Sequence, residues 1–195
     1  MAPNFYVVKT VLYIKNMVCP RCIMAVEGIL DKMGIPYTTV SLGEITLKEE
    51  LMGEIKEDLN HRLEKVGFTI INDRKSQLIE QMKNLVIEKV HGSKSLEGVK
   101  WPEYIANVLN LDYKYLSSLF SSVESITFEQ YIIHQKIEKV KELLVYDEVN
   151  LKEIAYQLDY SSIAYLSNQF KKVTGMTPTQ FKKGAIQNRK SLDDI

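Results

Sequence analysis

The chain contains no apolar run near the ~20 residues that a bilayer-spanning helix needs. Its amino terminus, MAPNFYVVKT, lacks the basic, apolar and small-residue succession of an export signal. Together these absences predict a soluble, cytoplasmic protein with no membrane partner. Cysteine is scarce: Cys19 and Cys22 are the whole thiol inventory, and in a reducing cytosol such a pair points to metal binding or redox exchange before a structural disulfide. Excess charge is missing as well, since 25 basic residues balance 25 acidic ones, and only the distribution of charge can speak for or against a polyanionic partner. There is no paired-carboxylate motif, no serine–histidine–aspartate set and no phosphate-cradling glycine loop. His61, His91 and His134 lie far apart without metal-ligand spacing. No enzyme is expected. What is present is 195 residues, 45% hydrophobic and 26% charged, enough for two small domains that each bury a core.

Residues 5–73 break into short segments of alternating type. FYVVKTVLYI is rich in β-branched and aromatic residues and suits a strand, and a turn holding both cysteines follows. In CIMAVEGILDKMG, Ile23, Val26, Ile29, Leu30 and Met33 recur at helical intervals, with Gly34 as a stop. PYTTVSLGEITLKE alternates around Ser41-Leu42-Gly43-Glu44 like a hairpin, ELMGEIKEDLNHRLEKVG returns to helical spacing and closes at Gly67, and Phe68 to Ile71 make a last strand. The order β-α-β-β-α-β predicts an α+β, ferredoxin-like domain over residues 1–74.

Beyond Asn72-Asp73 the pattern is almost purely helical. Leu78, Ile79, Met82, Leu85, Val86 and Val90 form an apolar stripe that ends at His91-Gly92, and no Gly/Ser-rich or Pro-rich spacer separates the halves. The remainder contains a repeat. Glu103–Tyr131 aligns with Glu153–Phe181, placing Ile105-Ala106 over Ile154-Ala155, Leu109 over Leu158 and Leu111 over Tyr160. After one inserted residue, Tyr115-Leu116-Ser117 falls over Tyr165-Leu166-Ser167, Phe120 over Phe170, Thr127 over Thr177 and Gln130 over Gln180. Each copy spells a short helix, a tight turn, a second helix and a capped third segment. The expectation is an all-α domain over 75–185 built from two helix-turn-helix units joined by a helix over 131–145, then a flexible tail over 186–195. Trp101 with Pro102 starts or packs the first helix of the first unit.

A helix-turn-helix presents its second helix to the DNA major groove with apolar residues turned inward. In the second copy Ile154, Ala155, Leu158, Leu166 and Phe170 face inward, leaving Ser162, Ile163, Ala164, Ser167 and Asn168 outward. In the first copy the outward set is Tyr113, Lys114, Ser117 and Ser118. Hydroxyl, amide and ammonium groups can reach base edges or phosphates. Lys171, Lys172, Lys182, Lys183, Arg189 and Lys190 form a basic run with no acid among them from Tyr160 to Leu192. The competing interpretation is a helical bundle with a wet polar face.

The string IAYQLDYSSIAYLSNQFKKVTGMTPTQFKK resembles the C-terminal signature of the AraC family of bacterial transcription regulators, through Ile154-Ala155, Leu158, Tyr160, Tyr165-Leu166, Phe170-Lys171-Lys172, Gly175, Thr177-Pro178 and Phe181. The resemblance spans about residues 76–184. It implies a seven-helix domain whose two recognition helices enter successive major-groove segments of double-stranded DNA. Base-reading places carry over to Lys114, Ser117 and Ser118 in the first unit and Ala164, Ser167 and Asn168 in the second, and we add Ser162, Lys171 and Lys172 to the expected DNA-binding set. Several family members carry arginine or glutamine at those positions, where this chain has mostly small side chains.

Two thiolates at C-x-x-C spacing can chelate one soft ion, Cu(I), Zn(II) or similar, and the positive end of a following helix, with Lys15 and Arg21 nearby, lowers their pKa. A redox pair has the same spacing. The segment NMVCPRCIMAVEGIL, between the first strand and first helix, resembles the M-x-C-x-x-C segment of heavy-metal-associated domains over about residues 5–73, ending with Lys65-Val66-Gly67-Phe68. That resemblance implies Cys19 and Cys22 as metal ligands and Met17 as an inward anchor; Asn16 stands where a glycine is usual. The expected function is sequence-specific DNA binding in transcription regulation, responsive to a soft metal. The alternatives are a metal carrier, or a thiol-redox protein, whose helical half serves protein contact. Metal identity, operator sequence, activation or repression, and oligomeric state are not encoded legibly.

Overall fold

In the computed structural model, residues 10–92, 95–146 and 149–187 are described. The chain divides into two compact units, 1–84 and 85–195.

In the first unit the order is β1 (Thr10–Lys15), α1 (Pro20–Met33), β2 (Tyr37–Ser41), β3 (Glu44–Leu47), α2 (Gly53–Glu64), β4 (Thr69–Ile71) and the first part of α3 (Arg74–His91). The strands form one antiparallel sheet in the order β2-β3-β1-β4, so β1 is central. Its partners are fixed by the alternation of side chains: Leu12 and Ile14 are buried, and they pair with Ile45 on β3 and Ile70 on β4, respectively. β2 and β3 join through a turn at Leu42-Gly43, and their register shifts between Tyr37 and Thr39.

α1 starts with Pro20 in its first turn, where the missing N–H has no helical partner to lose, and stops at Gly34 in the left-handed conformation, φ 66°. α2 begins later than its apolar spacing predicts, at Gly53 (φ 55°), and the residues just before it are not helical. It closes through a tight turn in which the Phe68 N–H donates to the Leu63 carbonyl across Gly67. The two helices pack on each other, and Val26, Leu30, Leu59 and Leu63 meet Ile14, Ile45 and Leu47 in one core. α3 is tied to the sheet by polar contacts: Gln77 donates to the Ile71 carbonyl, Gln81 to Glu44, and buried Asn84 to the Leu42 carbonyl at 3.1 Å.

The second unit holds the remainder of α3, then α4 (Trp101–Leu109), α5 (Tyr113–Glu124), α6 (Phe128–Tyr146), α7 (Leu151–Gln157), α8 (Ile163–Thr174) and α9 (Pro178–Gln187). α9 runs into the segment expected to be a tail; 188–195 lie outside the described residues. α6 is the long element between the two helix-turn-helix units. Its Phe128, Ile137 and Val140 are fully buried, with Ile105, Leu116 and Phe120 on one side of the repeat and Ile154, Leu166 and Phe170 on the other.

The repeat is reproduced at its turns and second-helix caps. Asn110 and Asp159 occupy the same place between first and second helix, both left-handed at φ 51° and 54°. Asp112 and Ser162 cap the second helices, accepting from the N–H of Tyr115 and of Tyr165. Thr127 with Gln130, and Thr177 with Gln180, form reciprocal capping boxes of 2.8 to 3.2 Å. Phe120–Tyr131 and Phe170–Phe181 meet tilted and edge-on, at ring-centroid distances of 5.5 and 5.6 Å.

Candidate nucleic-acid interface and thiol site

The outward stripe of each second helix follows from its buried one. In α8, Leu166 and Phe170 are fully buried. At about 100° per residue the opposite face carries Ala164, Asn168 and the Lys171-Lys172 pair, all exposed. Ser167 flanks this stripe, half-buried, and Ile163 is 41% exposed. In α5, Leu116, Leu119 and Phe120 turn inward, so Lys114 and Ser118 hold the equivalent outward places.

Three assignments from the sequence need qualification. Tyr113 does not face outward: its ring lies edge-on to Phe128 at 6.4 Å and its hydroxyl donates to Glu129, because the first residue of the helix is drawn back onto α6. Burial and that bond hold the phenol above its ordinary pKa, and the Tyr113 hydroxyl holds the Glu129 carboxyl below its own. Ser162 is exposed but its Oγ is engaged at 3.1 Å as the cap of α8. Ser117 Oγ donates to the Lys114 carbonyl within its own helix.

Ser121 and Ser122 extend the outward stripe of α5. They occupy the places of Lys171 and Lys172 in the first copy, are exposed, and hydrogen-bond to backbone carbonyls of α5. The repeat register alone is enough to find them. The two stripes are therefore unequal: one lysine and hydroxyls on α5, a small residue, an amide and two lysines on α8. No ion pair of Lys114, Lys171 or Lys172 occurs among the described residues, which leaves these cations available to a polyanion.

The thiols lie in the first unit, at the entry to α1. Cys19 is the N-cap and Cys22 is in the first turn, with their Sγ atoms 3.5 Å apart and both half-buried. The Cys22 backbone N–H, then the Cys22 thiol, hold the Cys19 pKa below the usual thiol range; burial opposes them and the Arg21 charge adds the smallest contribution. Lys15 is not among the causes. Met17 beneath the loop is fully buried. Asn16 takes the left-handed conformation, φ 74°, that asparagine tolerates best after glycine, and its side chain donates to the Gly67 carbonyl at 3.0 Å. That bond and conformation hold the loop in shape.

The thiols suit a soft ion. Two sulfurs at ~2.3 Å from one tetrahedral ion would lie ~3.8 Å apart, a few tenths beyond the separation here. Among the described residues no group of three or more histidine, cysteine, aspartate or glutamate side chains gathers to complete a closed site.

Comparison with known proteins bears on the second unit. Residues 105–184 match a family model described as a helix-turn-helix domain. The HTH-type transcriptional regulator YijO of Escherichia coli is 27% identical over 126 residues, 64% of this chain and 42% of that protein. The transcriptional regulatory protein YesN of Bacillus subtilis is 30% identical over 110 residues, 55% of this chain and 29% of its own length. The C-terminal domain of AraT, a response regulator from Geobacillus stearothermophilus, superposes with a TM-score of 0.49 at 28% identity, covering 57% of this chain and 88% of that one. The chain spans less than half the length of these two curated relatives. No helix among the described residues is long and apolar enough to cross a membrane. Residues 105–184 thus resemble a helix-turn-helix domain, and over this part the chain is similar to proteins named as transcriptional regulators.

Proposed function

We propose that this protein is a sequence-specific, double-stranded-DNA-binding transcription regulator of the AraC type, with α5 and α8 as its reading helices. One observation carries the proposal. Two copies of the same helix-turn-helix, capped and packed alike, each turn an exposed polar stripe away from the core, Lys114 and Ser118 on one and Ala164, Asn168, Lys171 and Lys172 on the other. The lysines supply phosphate attraction, which is independent of sequence, while Asn168 and the serines can reach base edges. With so few long polar side chains, much of the selectivity falls to apolar contact, such as Ala164 with a thymine methyl, and to DNA shape.

For the first unit, the reading is a ferredoxin-like, heavy-metal-associated module whose Cys19 and Cys22 take up a soft ion such as Cu(I) or Zn(II). The support is the pair of thiols 3.5 Å apart, one of them with a depressed pKa, on a loop anchored by Met17 and Asn16. An ion there supplies charge neutralisation of two thiolates. Regulation requires that it bind the DNA-competent and incompetent states unequally. Selection of bound sequences from a random duplex pool, with and without Cu(I) or Zn(II), tests both parts. An enriched motif is expected, with metal changing its yield. Failure to enrich any sequence refutes the regulator. Unchanged enrichment in Cys19→Ser/Cys22→Ser, with metal uptake also unchanged, refutes the sensor alone. A metal carrier would instead show no salt-dependent DNA affinity and would pass its ion to a partner domain.

A further inference from the structure

The duplication that builds the two reading helices does not duplicate their chemistry. In the register that places Tyr115 over Tyr165, the outward residues pair as Lys114 with Ala164, Ser118 with Asn168, Ser121 with Lys171 and Ser122 with Lys172, every one of them exposed. Positive charge therefore stands at the beginning of α5 and at the end of α8. Lys114 is the second residue of its helix, whereas Lys171 and Lys172 lie in the last turn of theirs.

Position along the helix decides what a cation can reach. In a helix-turn-helix the N-terminal residues of the second helix meet base edges in the major groove. A lysine there can donate to both O6 and N7 of guanine, while lysines at the far end are left to phosphates, which carry no sequence. The Lys114 ammonium takes part in no ion pair among the described residues, so no such bond has to break before it turns to a base. On α8 the equivalent place holds only the Ala164 methyl, and the amide of the stripe comes four residues later, at Asn168. An asparagine amide matches adenine, accepting from N6 and donating to N7. Its counterpart on α5, Ser118, has a single hydroxyl that suits several bases. At ~1.5 Å per residue Ala164 and Asn168 are about 6 Å apart along the axis, roughly two base steps of ~3.4 Å, so a thymine methyl against Ala164 falls in the same groove segment as the adenine.

We propose that the DNA target is chemically asymmetric: a guanine read by Lys114 under α5, and an adenine read by Asn168, with a thymine methyl against Ala164 about two base pairs away, under α8. The assignment rests on the DNA-binding reading above and gives each of its helices a class of base.

The test is selection from a random duplex pool by the full-length protein, by Lys114→Gln and by Asn168→Ala, followed by anisotropy titration of the enriched duplex and its single-base variants at one salt concentration. The unaltered protein should enrich guanine at one position and adenine, with a thymine close by, at another. In Lys114→Gln the guanine position should turn to adenine, which a glutamine amide fits, the ratio of guanine to adenine affinity falling about tenfold or more. In Asn168→Ala the adenine preference should fall by about the same factor while the guanine position stays as it was. Thermal midpoints should not move, because both side chains are exposed. A Lys114 that touches only phosphate would weaken every duplex alike in Lys114→Gln and leave the base ratios unchanged, which overturns the assignment while DNA binding stands. An adenine preference that survives in Asn168→Ala overturns it too. Enrichment of no sequence by the unaltered protein removes the DNA-binding reading itself, and the assignment with it.

Discussion

Replacing Lys171 and Lys172 together by glutamine isolates the electrostatic part of the proposed interface. Both lysines are exposed in the last turn of α8, neither takes part in an ion pair among the described residues, and neither supports the core that Leu166 and Phe170 form. Their removal forfeits only their attraction to the negative end of the helix, about 0.3 to 1 kcal/mol each at low salt, so the variant should remain folded. If each neutralises one phosphate, the slope of log K against log salt becomes shallower by about 0.9 per lysine, about 1.8 in all. Between 50 and 200 mM salt the ratio of unaltered to variant affinity then shrinks about twelvefold, since a fourfold change in salt is raised to that power. Fluorescence anisotropy with a labelled duplex across a salt series measures the slope, and urea denaturation measures the fold. A folded variant whose slope equals that of the unaltered protein would refute the placement of this end of α8 against the DNA backbone.

Ser162→Ala should destabilise the protein by about 1 kcal/mol through loss of the α8 cap, read by denaturation. Ser162→Asp should retain the cap yet weaken DNA binding by putting an acid against phosphate; equal DNA affinity would remove Ser162 from the interface. Gly43→Ala should cost about 3 kcal/mol, combining a left-handed residue (φ 77°) with a Cβ that would sit 1.9 Å from Asn84 Nδ2 and break its bond to Leu42. Asn84→Ala in the same chain should recover part of that loss, and strict additivity would refute the clash. Alkylation of Cys19 by iodoacetamide in the Cys22→Ser variant should rise with pH around a midpoint below that of a free thiol, because the Cys22 backbone N–H persists. A depressed folded-state pKa stabilises the fold above the unfolded thiol value, ~8.5, and this contribution disappears as pH falls through the folded value. A midpoint at the free-thiol value would refute the loop geometry.

Periodicity exposes most elements of this chain because each buries one face. Val26 and Leu30 on α1, Leu59 and Leu63 on α2 and the Leu12/Ile14 alternation on β1 are visible as spacing before any coordinates exist. Matched capping residues, Thr127/Gln130 and Thr177/Gln180, made the duplication legible for the same reason: the signal is local. What escaped is tertiary. Tyr113 sits at an outward place by sequence and is pulled inward by Phe128 and Glu129 from another helix. Trp101, Lys136 and Tyr160 converge from α4, α6 and the turn before α8 around one recess, and no spacing rule connects them. The late start of α2 reflects Gly53 in a left-handed conformation, which apolar spacing does not reveal. The place of Asn16 is legible only in part, since its departure from glycine looks like a defect until its bond to Gly67 is seen.

The twin aromatic pairs, Phe120 with Tyr131 and Phe170 with Phe181, keep the scaffold of each module apart from its lettering. Ala164, Asn168 and Ser118 contribute nothing to those pairs, so exchanging them should leave stability nearly untouched, as solvent-facing changes usually do. If these side chains read DNA as proposed, such a chain can be retargeted one position at a time, drifting to new operators without passing through an unfolded ancestor.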